Sequence, residues 1–355
     1  MEYFVPLFEC SLDESTIAFK GRVVFKVYNA MKPIKWGLKV FVLSDSRSGY
    51  IWCFDPYLGK ESSDNLVRPD LLATSRIVMH LAQKLRDKFP QSGFHIFVDR
   101  YYTGVQLASE LLKIGIHLTG TINQNRKGLP VEVKKANLKL KKHECVAYRS
   151  DSNILVSAWK DKRNVVMLST LCDDSTEVIK RKEKKGEIVE VVKPSVVCEY
   201  NKYMGGVDTA DHYISSYKFL RKSVKWWRKM FFWLLEVGVV NSYLLYNMNQ
   251  LNLGEKTIEH RKFRETLIKQ LVGEVRNVVT RKPSADLDKC ERLNRKPHFM
   301  DANPQKRTRD CAVCSNRKIR GQRKETIYYC KTCSNKPALC PGGCFEIYHT
   351  FDKYK

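Results

Sequence analysis

A run of cysteines near the C-terminal end constrains this chain more than any other feature. Cys311-x2-Cys314 is followed by fifteen residues, Cys330-x2-Cys333, six residues, Cys340, three residues, Cys344 and four residues to His349. Paired C-x2-C knuckles at this distance, with an imidazole close behind, are the ligands that zinc takes. Seven ligands nearly fill two tetrahedral sites, as in a cross-braced fold. The simplest alternative is one site of Cys311, Cys314, Cys330 and Cys333, with Cys340, Cys344 and His349 left as an incomplete second. Order alone does not assign the partners, so one or two structural zinc ions are expected. Disulfides are the poorer reading, because MEYFVPLFEC lacks a signal-peptide pattern and points to a reducing compartment. The other cysteines (Cys10, Cys53, Cys145, Cys172, Cys198, Cys290) are scattered.

Upstream of that tail the hydrophobic pattern switches between the strand period and the helix period. Val23–Tyr28 and Leu38–Ser44 read as strands, with Tyr50–Phe54 as a return strand after SRSG. Leu71–Leu85 reads as a helix, with Leu72, Ile77, Leu81 and Leu85 near one face. Phe94–Val98 is a short apolar strand ending in Asp99, and Val105–Ile114 is a second amphipathic helix. Strand, helix, strand, helix predicts a mixed α/β sheet with helices against it. HECVAYRS, NILVSAWKD and VVMLSTL add a β-rich stretch. Lys134–Lys142 reads as a solvated strand or loop, and Lys180–Lys185 as an exposed turn. Tyr213 to about Gln250 reads as helix, opening basic and aromatic, and polar helical sequence continues to about Val279. Lys282–Asp310 reads as a basic linker.

Charge narrows the partner. The chain carries 63 Lys and Arg against 38 Asp and Glu, a net charge of +25 that exceeds what solubility needs and suits a polyanion. Membrane surfaces are polyanionic too. The longest apolar stretch, Phe231–Tyr246, is too short for a bilayer span and is interrupted by Glu236, Gly238 and Asn241. A core helix, and nucleic acid as the partner, is the better reading.

Four aspartates occupy places where an α/β nuclease would put them. Asp13 lies just before the first strand-rich region, Asp99 ends a strand, and Asp208 and Asp211 lead into a helix as i,i+3 neighbours. A carboxylate at a strand end is held in place, and like charges this close invite a cation between them. Two hard divalent ions roughly 4 Å apart need several carboxylates and support in-line phosphodiester chemistry. The competing reading makes Asp13 and Asp99 turn residues. Asp45 opens the turn DSRSG and reads as structural. Glu14 is expected on the face opposite Asp13, since adjacent strand residues alternate. Glu236 reads as an internal hydrogen-bond acceptor, with a distal acid of the site as the alternative.

DESTIAFKGR, KPIKWGLKVFVLSDSRSGY, DRYYTG, NKYMGGVDTADH, the helix motif KWWRK and the terminal cysteines together resemble, in order and over essentially the whole chain, the piggyBac transposase family. The resemblance implies an RNase H-like mixed-sheet core with a β-rich insertion and a small C-terminal zinc module. It assigns Asp13, Asp99 and Asp208 as three catalytic carboxylates holding two Mg²⁺ ions, and Asp211 as a fourth functional aspartate. The expected organisation is a core first part over residues 1–125, the insertion over 126–195, a helical second part over 196–281, the linker over 282–310 and the zinc module over 311–350. Only twelve residues precede Asp13, where the family's transposases carry a long N-terminal region that aids dimerisation and DNA binding. A shortened or domesticated copy, or an incomplete gene reading, is therefore expected.

Several cations could meet phosphates. Lys20, Arg22, Lys32, Lys35 and Arg100 flank the acids and supply counter-charge. Arg221, Lys222, Lys225, Arg228 and Lys229 surround Trp226 and Trp227, a mix suited to backbone contact and base stacking with Trp226 as the platform; the alternative makes the tryptophans core. Asn123–Lys127 is a further candidate. Arg317, Lys318, Arg320, Arg323 and Lys324 crowd the loop between the knuckles and favour DNA, although readers of histone tails and ubiquitin-ligase-like modules share such spacing. By resemblance the chemistry is nicking, hairpin formation and integration at TTAA. The expected partners are DNA at transposon ends and a second copy in a homodimer, rather than a membrane or a small-molecule substrate. The nucleus is the expected compartment, with Lys180–Lys185 and Gln305–Arg309 as import signals. The rival functions are a domesticated, non-catalytic DNA- or chromatin-binding protein and an interaction scaffold built on the zinc module.

Overall fold

The computed structural model describes residues 4–273 and 291–355, apart from residues 31, 33, 60–61, 63–65, 183–187 and 220–221. The chain divides into two compact units, Met1–Glu265 and Thr266–Lys355.

The first unit is built on a mixed sheet. Its strands are β1 (Glu9–Ala18), β2 (Val27–Tyr28), β3 (Trp36–Asp45), β4 (Ile51–Pro56), β5 (Phe94–Val98), β6 (Ile116–Thr121), β7 (Cys145–Arg149), β8 (Leu155–Lys160) and β9 (Asn164–Ser169). The order is β2-β3-β1-β5-β6-β9-β8-β7, with β4 also on the outer side of β3. β1 runs antiparallel to β3 and parallel to β5, and β5 is parallel to β6. Between those parallel strands the chain crosses over through α1 (Ala73–Lys88) and α2 (Val105–Lys113), whose Leu81, Leu85, Leu107 and Leu111 are wholly buried. This is the RNase H-like arrangement, extended at one edge by the β7–β9 meander of the insertion.

β1 corrects the sequence reading. Its polar run ECSLDESTIA has weak strand propensity, yet it is the central strand, hydrogen-bonded on both sides. Asp13 thus lies inside the first strand rather than before it. Of Val23–Tyr28, only Val27–Tyr28 is strand. Lys134–Lys142 is loop, and Lys180–Lys182 ends strand β10 (Thr176–Lys182), which pairs with β11 (Ile188–Pro194); the rest of the expected turn, 183–185, lies outside the described residues.

The helical part begins with α3 (Ser195–Tyr203) and α4 (Gly206–Ser216). Gly206 seats α4 on the sheet: a Cβ there would lie 2.4 Å from Ser11 Oγ, 2.8 Å from Ser44 Oγ and 2.9 Å from the Asp45 carbonyl. The helix expected from Tyr213 is broken, because α4 ends at Ser216 and α5 (Trp226–Asn252) starts afresh. The break is held by a buried ion pair, Arg264–Glu236 at 2.6 Å. Glu236 accepts the Phe219 N–H at 2.8 Å and Arg264 donates to the Tyr217 carbonyl at 3.2 Å, satisfying backbone groups that a continuous helix would have paired. Glu236 is thus the internal acceptor. α6 (His260–Val272) follows, and no helix among the described residues is long and apolar enough to cross a membrane.

In the second unit β12 (Met300–Ala302) pairs with β15 (Tyr328–Cys330), β13 (Arg309–Asp310) pairs with β14 (Glu325–Thr326), and α7 (Gly343–Thr350) closes the fold. The expected linker therefore belongs to this unit wherever it is described, from Glu291 onward; 282–290 lies outside the described residues. Arg292 is buried and donates to the carbonyls of Tyr348 (2.8 Å), Phe351 (2.7 Å) and Asp352 (2.8 Å), which fixes the end of the helix carrying His349.

Candidate functional site

Sheet register brings the first two aspartates together. Leu12 and Val98 are the last paired rung of the parallel β1–β5 ladder, so Asp13 and Asp99 follow side by side. The turn after β5 fixes Asp99: its carboxylate accepts the Tyr101 N–H at 2.8 Å, and its carbonyl accepts the Thr103 hydroxyl at 2.8 Å. Asp208 and Asp211 stand one helical turn apart on α4, and Ser15 of β1 donates to Asp211 at 2.6 Å. Asp208 and Asp211 also line a cavity of about 430 Å³ with Lys32, His212, Lys218, Trp233 and Glu236.

Burial in this acidic corner makes ionisation costly. Asp13 is pushed up to about 7, first by burial and then by the neighbouring Glu14 carboxyl, which hydrogen-bonds it. Burial raises Asp211 to about 6 against the pull of Ser15 and Lys32, and it raises Asp99 too. Glu14 goes the other way. Burial works to raise it, but Lys39 at 3.0 Å, Tyr102 and Asp13 outweigh that and leave it below the ordinary value. The geometric link between Glu14 and Asp13 runs through the backbone, the Glu14 N–H donating to the Asp13 carboxylate at 2.8 Å, while the Glu14 carboxylate pairs with Lys39. Asp45 is the structural turn residue expected, accepting the N–H groups of Ser48 (2.8 Å), Arg47 (3.1 Å) and Leu7 (2.9 Å).

No three of these carboxylates close to within 4.8 Å among the described residues. Their donors are all hard oxygens, the chemistry that a magnesium-type ion takes.

The cations fall into two groups. Lys32 lies beside the acids, donating to the Glu14 carbonyl at 2.8 Å. Lys20, Arg22, Lys35, Arg100, Lys222, Lys225 and Arg228 are exposed. Folding joins two basic segments distant in sequence: a Cβ on Gly21 would lie 2.8 Å from the Val224 carbonyl, so Lys20 and Arg22 border the loop carrying Lys222 and Lys225. Trp226, the expected platform, stands edge-on to Phe25 at 5.2 Å and is half-buried. Trp227 is the exposed one at 52%, with Arg228 5.2 Å and Lys225 5.9 Å from its ring centre. Lys229 is buried, which corrects its placement at a surface; Arg221 lies outside the described residues. Arg126 of Asn123–Lys127 is committed to the Tyr101 carbonyl at 2.6 Å.

The metal-type ligands of the second unit fall into two sets whose donor atoms lie within 4.8 Å of one another: Cys311, Cys314, Cys340 and Cys344, and His298, Cys330, Cys333 and His349. The arrangement is cross-braced, so the single site of Cys311, Cys314, Cys330 and Cys333 is not formed. His298 completes the second set and was missed, because a lone histidine 32 residues before Cys330 in a Pro- and Lys-rich stretch carries no spacing signal. Ligand separations of 3.7 Å for Cys314–Cys340, 3.5 Å for Cys333–His298 and 3.6 Å for Cys333–His349 suit a tetrahedral ion, whose bonds of about 2.0–2.3 Å imply edges of about 3.3–3.8 Å. His349 Nδ1 donates to the Phe345 carbonyl at 2.8 Å, leaving Nε2 for the metal. Within the four-cysteine set the thiols diverge: backbone N–H groups of Cys314, Cys340 and Val313 overcome burial and lower Cys311 to about 7, whereas burial and the neighbouring thiols raise Cys340 to about 11 and Cys344 to about 12. Zinc fits these donors. Arg317, Lys318 and Arg320 are all exposed, and Arg317 also pairs with Asp310.

A family described as Transposase IS4 matches residues 1–243, and a DDE_Tnp_1-like zinc finger matches residues 294–350. Sheet, acids and zinc unit together define a protein of the transposase class. PiggyBac transposable element-derived protein 3 of Homo sapiens is 28% identical over 266 residues, 73% of this chain and 43% of that protein. PiggyBac transposable element-derived protein 2 of Homo sapiens is 27% identical over 249 residues, 67% of this chain and 40% of that protein. A piggyBac transposase in a synaptic complex with hairpin DNA, solved by cryo-EM, superposes with a TM-score of 0.66 at 25% identity, covering 79% of this chain and 55% of that one. This chain belongs to the piggyBac transposase family. It spans about two-fifths of the length of these human relatives.

Proposed function

We propose that this chain binds DNA and that its carboxylate site cuts and joins DNA strands by phosphoryl transfer. The observation that carries the reading is the juxtaposition of Asp13 and Asp99 on neighbouring parallel strands, with Asp208 and Asp211 on a helix that Gly206 seats against the same sheet. Asp13, Asp99 and Asp208 would hold two Mg²⁺ ions, which supply activation of the attacking oxygen and stabilisation of the leaving one. Asp211 is kept in register by Ser15, and Lys32 offsets charge beside the acids.

DNA binding is supported by the exposed cations that folding gathers around Gly21 and Val224, by the exposed Trp227, and by a structural relative solved with hairpin DNA. Lys318 and Arg320 extend the basic surface of the zinc unit. The family resemblance points further, to transposon ends, a TTAA target, a homodimer and the nucleus. The exposed basic residues Lys180, Lys182 and Gln305–Arg309 are suited to import.

Purified chain incubated with a transposon-end-type duplex and Mg²⁺ tests the reading. Cleavage by wild type, lost in Asp208→Ala while DNA affinity is kept, is the expected result. Tight, salt-dependent binding without cleavage would leave a DNA-binding role alone. Weak, salt-insensitive affinity would exclude both.

A further inference from the structure

The β-rich insertion holds a second cavity, apart from the one that Asp208 and Asp211 line. It measures about 420 Å³, within the range of ligand pockets, and lies between β8, β9, the β10–β11 hairpin and α3. Three kinds of group line it. Val165, Ile179 and Val197 supply apolar surface. Lys180 and Lys193 bring charge from the two strands of the hairpin; Arg181 lines it too but is paired with Asp161 at 2.9 Å, which leaves the two lysines as net positive charge. Trp159 is the third: it is 4% exposed, and its indole N–H meets no acceptor among the described residues. A buried donor without an acceptor is costly, so one in a side chain that lines a cavity calls for an acceptor in the occupant. The sheet sets this cavity beside the acids. Val98 pairs with Gly120 in the parallel β5–β6 ladder, so Asp99 and the cavity-lining Thr121 follow about one strand spacing apart, ~4.8 Å. Asp13, Asp99 and Thr121 thus form one row across β1, β5 and β6.

We propose that this cavity takes one unpaired nucleotide of the DNA strand that reaches the carboxylates. Its base lies against the apolar wall, an acceptor on the base or sugar receives the Trp159 N–H, and the flanking phosphates meet Lys180 and Lys193. The inference rests on the proposed function in taking Asp13 and Asp99 as the place where a strand is cut. A paired duplex offers phosphates to the lysines but keeps its bases stacked, so the apolar wall and the indole N–H would stay unanswered. An unpaired nucleotide answers all three.

Titrating the zinc-loaded full chain with a duplex carrying one unpaired 2-aminopurine, and with the same duplex fully paired, tests the proposal in Mg²⁺-free buffer, where no cleavage is needed. Wild type is expected to bind the unpaired form roughly tenfold tighter, with the base fluorescence changed on binding. Trp159→Phe and Lys193→Met should each bring the two affinities close to parity. Lys193 is only half-buried, so its variant tests the site even where Trp159→Phe lowers the melting temperature. Equal affinity of wild type for the two duplexes overturns the proposal, as does a preference that both variants keep. If deoxyadenosine monophosphate binds wild type but not Trp159→Phe while the two duplexes bind alike, the occupant is a free nucleotide and the strand is overturned. A Trp159-dependent preference without Mg²⁺-dependent cleavage supports the cavity and counts against the cutting role. No binding of either duplex overturns both.

Discussion

At Asp13 the burial that holds the carboxyl in place also makes it hard to ionise. Its folded value, about 7, lies above the ordinary carboxylate range, so the metal-free fold binds a proton that the unfolded chain releases. That contribution to stability is complete at pH below about 4 and is lost as pH rises through 7. Wild type and Asp13→Asn, both zinc-loaded and in Mg²⁺-free buffer, should therefore diverge, wild type losing melting temperature relative to the variant between about pH 4 and 7. A difference that stays constant across that window would contradict the assignment. The two tryptophans make a second contrast at this scale. Trp227→Ala should weaken binding to single-stranded DNA, base stacking being worth about 1–3 kcal/mol per base, without altering stability. Trp226→Ala should lower stability through lost contact with Phe25. Equal effects of the two on DNA affinity would contradict the split.

Elements are placed by contacts that single residues permit. α4 presents Asp208 and Asp211 because Gly206 lets its first turn rest on Ser11 and Ser44. Gly206→Ala should cost about 1–3 kcal/mol by overpacking, read by urea unfolding. Gly205→Ala, where a Cβ would meet nothing within 4 Å, should remain near wild type. Equal losses at the two positions would show that α4 is seated otherwise. Strand β5 and its terminal Asp99 were legible because FHIFV, four apolar residues around His95, is buried throughout. β1 was not legible. Its residues are polar on average, and its strand form comes from partners on either side that are distant in sequence. The break between α4 and α5 was hidden for a related reason: the Glu236–Arg264 pair that satisfies it joins residues 28 apart.

Over the whole molecule, the two units are stabilised by different means. The α/β unit has a large apolar core, whereas among the described residues the main cluster of the second unit has Cys330, Cys333, Leu339 and Tyr348 as its buried members. A unit that small depends on its metal. The full chain should carry two zinc ions by elemental analysis. Cys340→Ser and His298→Ala should each lose one, and a double variant both. Loss of the same ion by Cys311→Ser and Cys330→Ser would contradict the cross-braced pairing. Strong chelation should abolish amide protection over residues 291–355 in hydrogen exchange.

Composition and spacing determined that this chain is basic, that its tail binds metal, and that strands and helices alternate ahead of it. The motifs that carry Asp13, Asp99, Asp208 and Asp211 are short and contiguous, so these four could be singled out as candidates from the sequence. Only tertiary structure decided which ligands share an ion, that His298 is one of them, that Trp227 rather than Trp226 faces outward, and that the Glu14 carboxyl pairs with Lys39 of the neighbouring strand. The reason is common to all four. Local pattern records which side chains a segment carries, whereas ion sharing, exposure and the pairing of carboxyls depend on distances between segments, and those distances are set when the sheet and the zinc knuckles close.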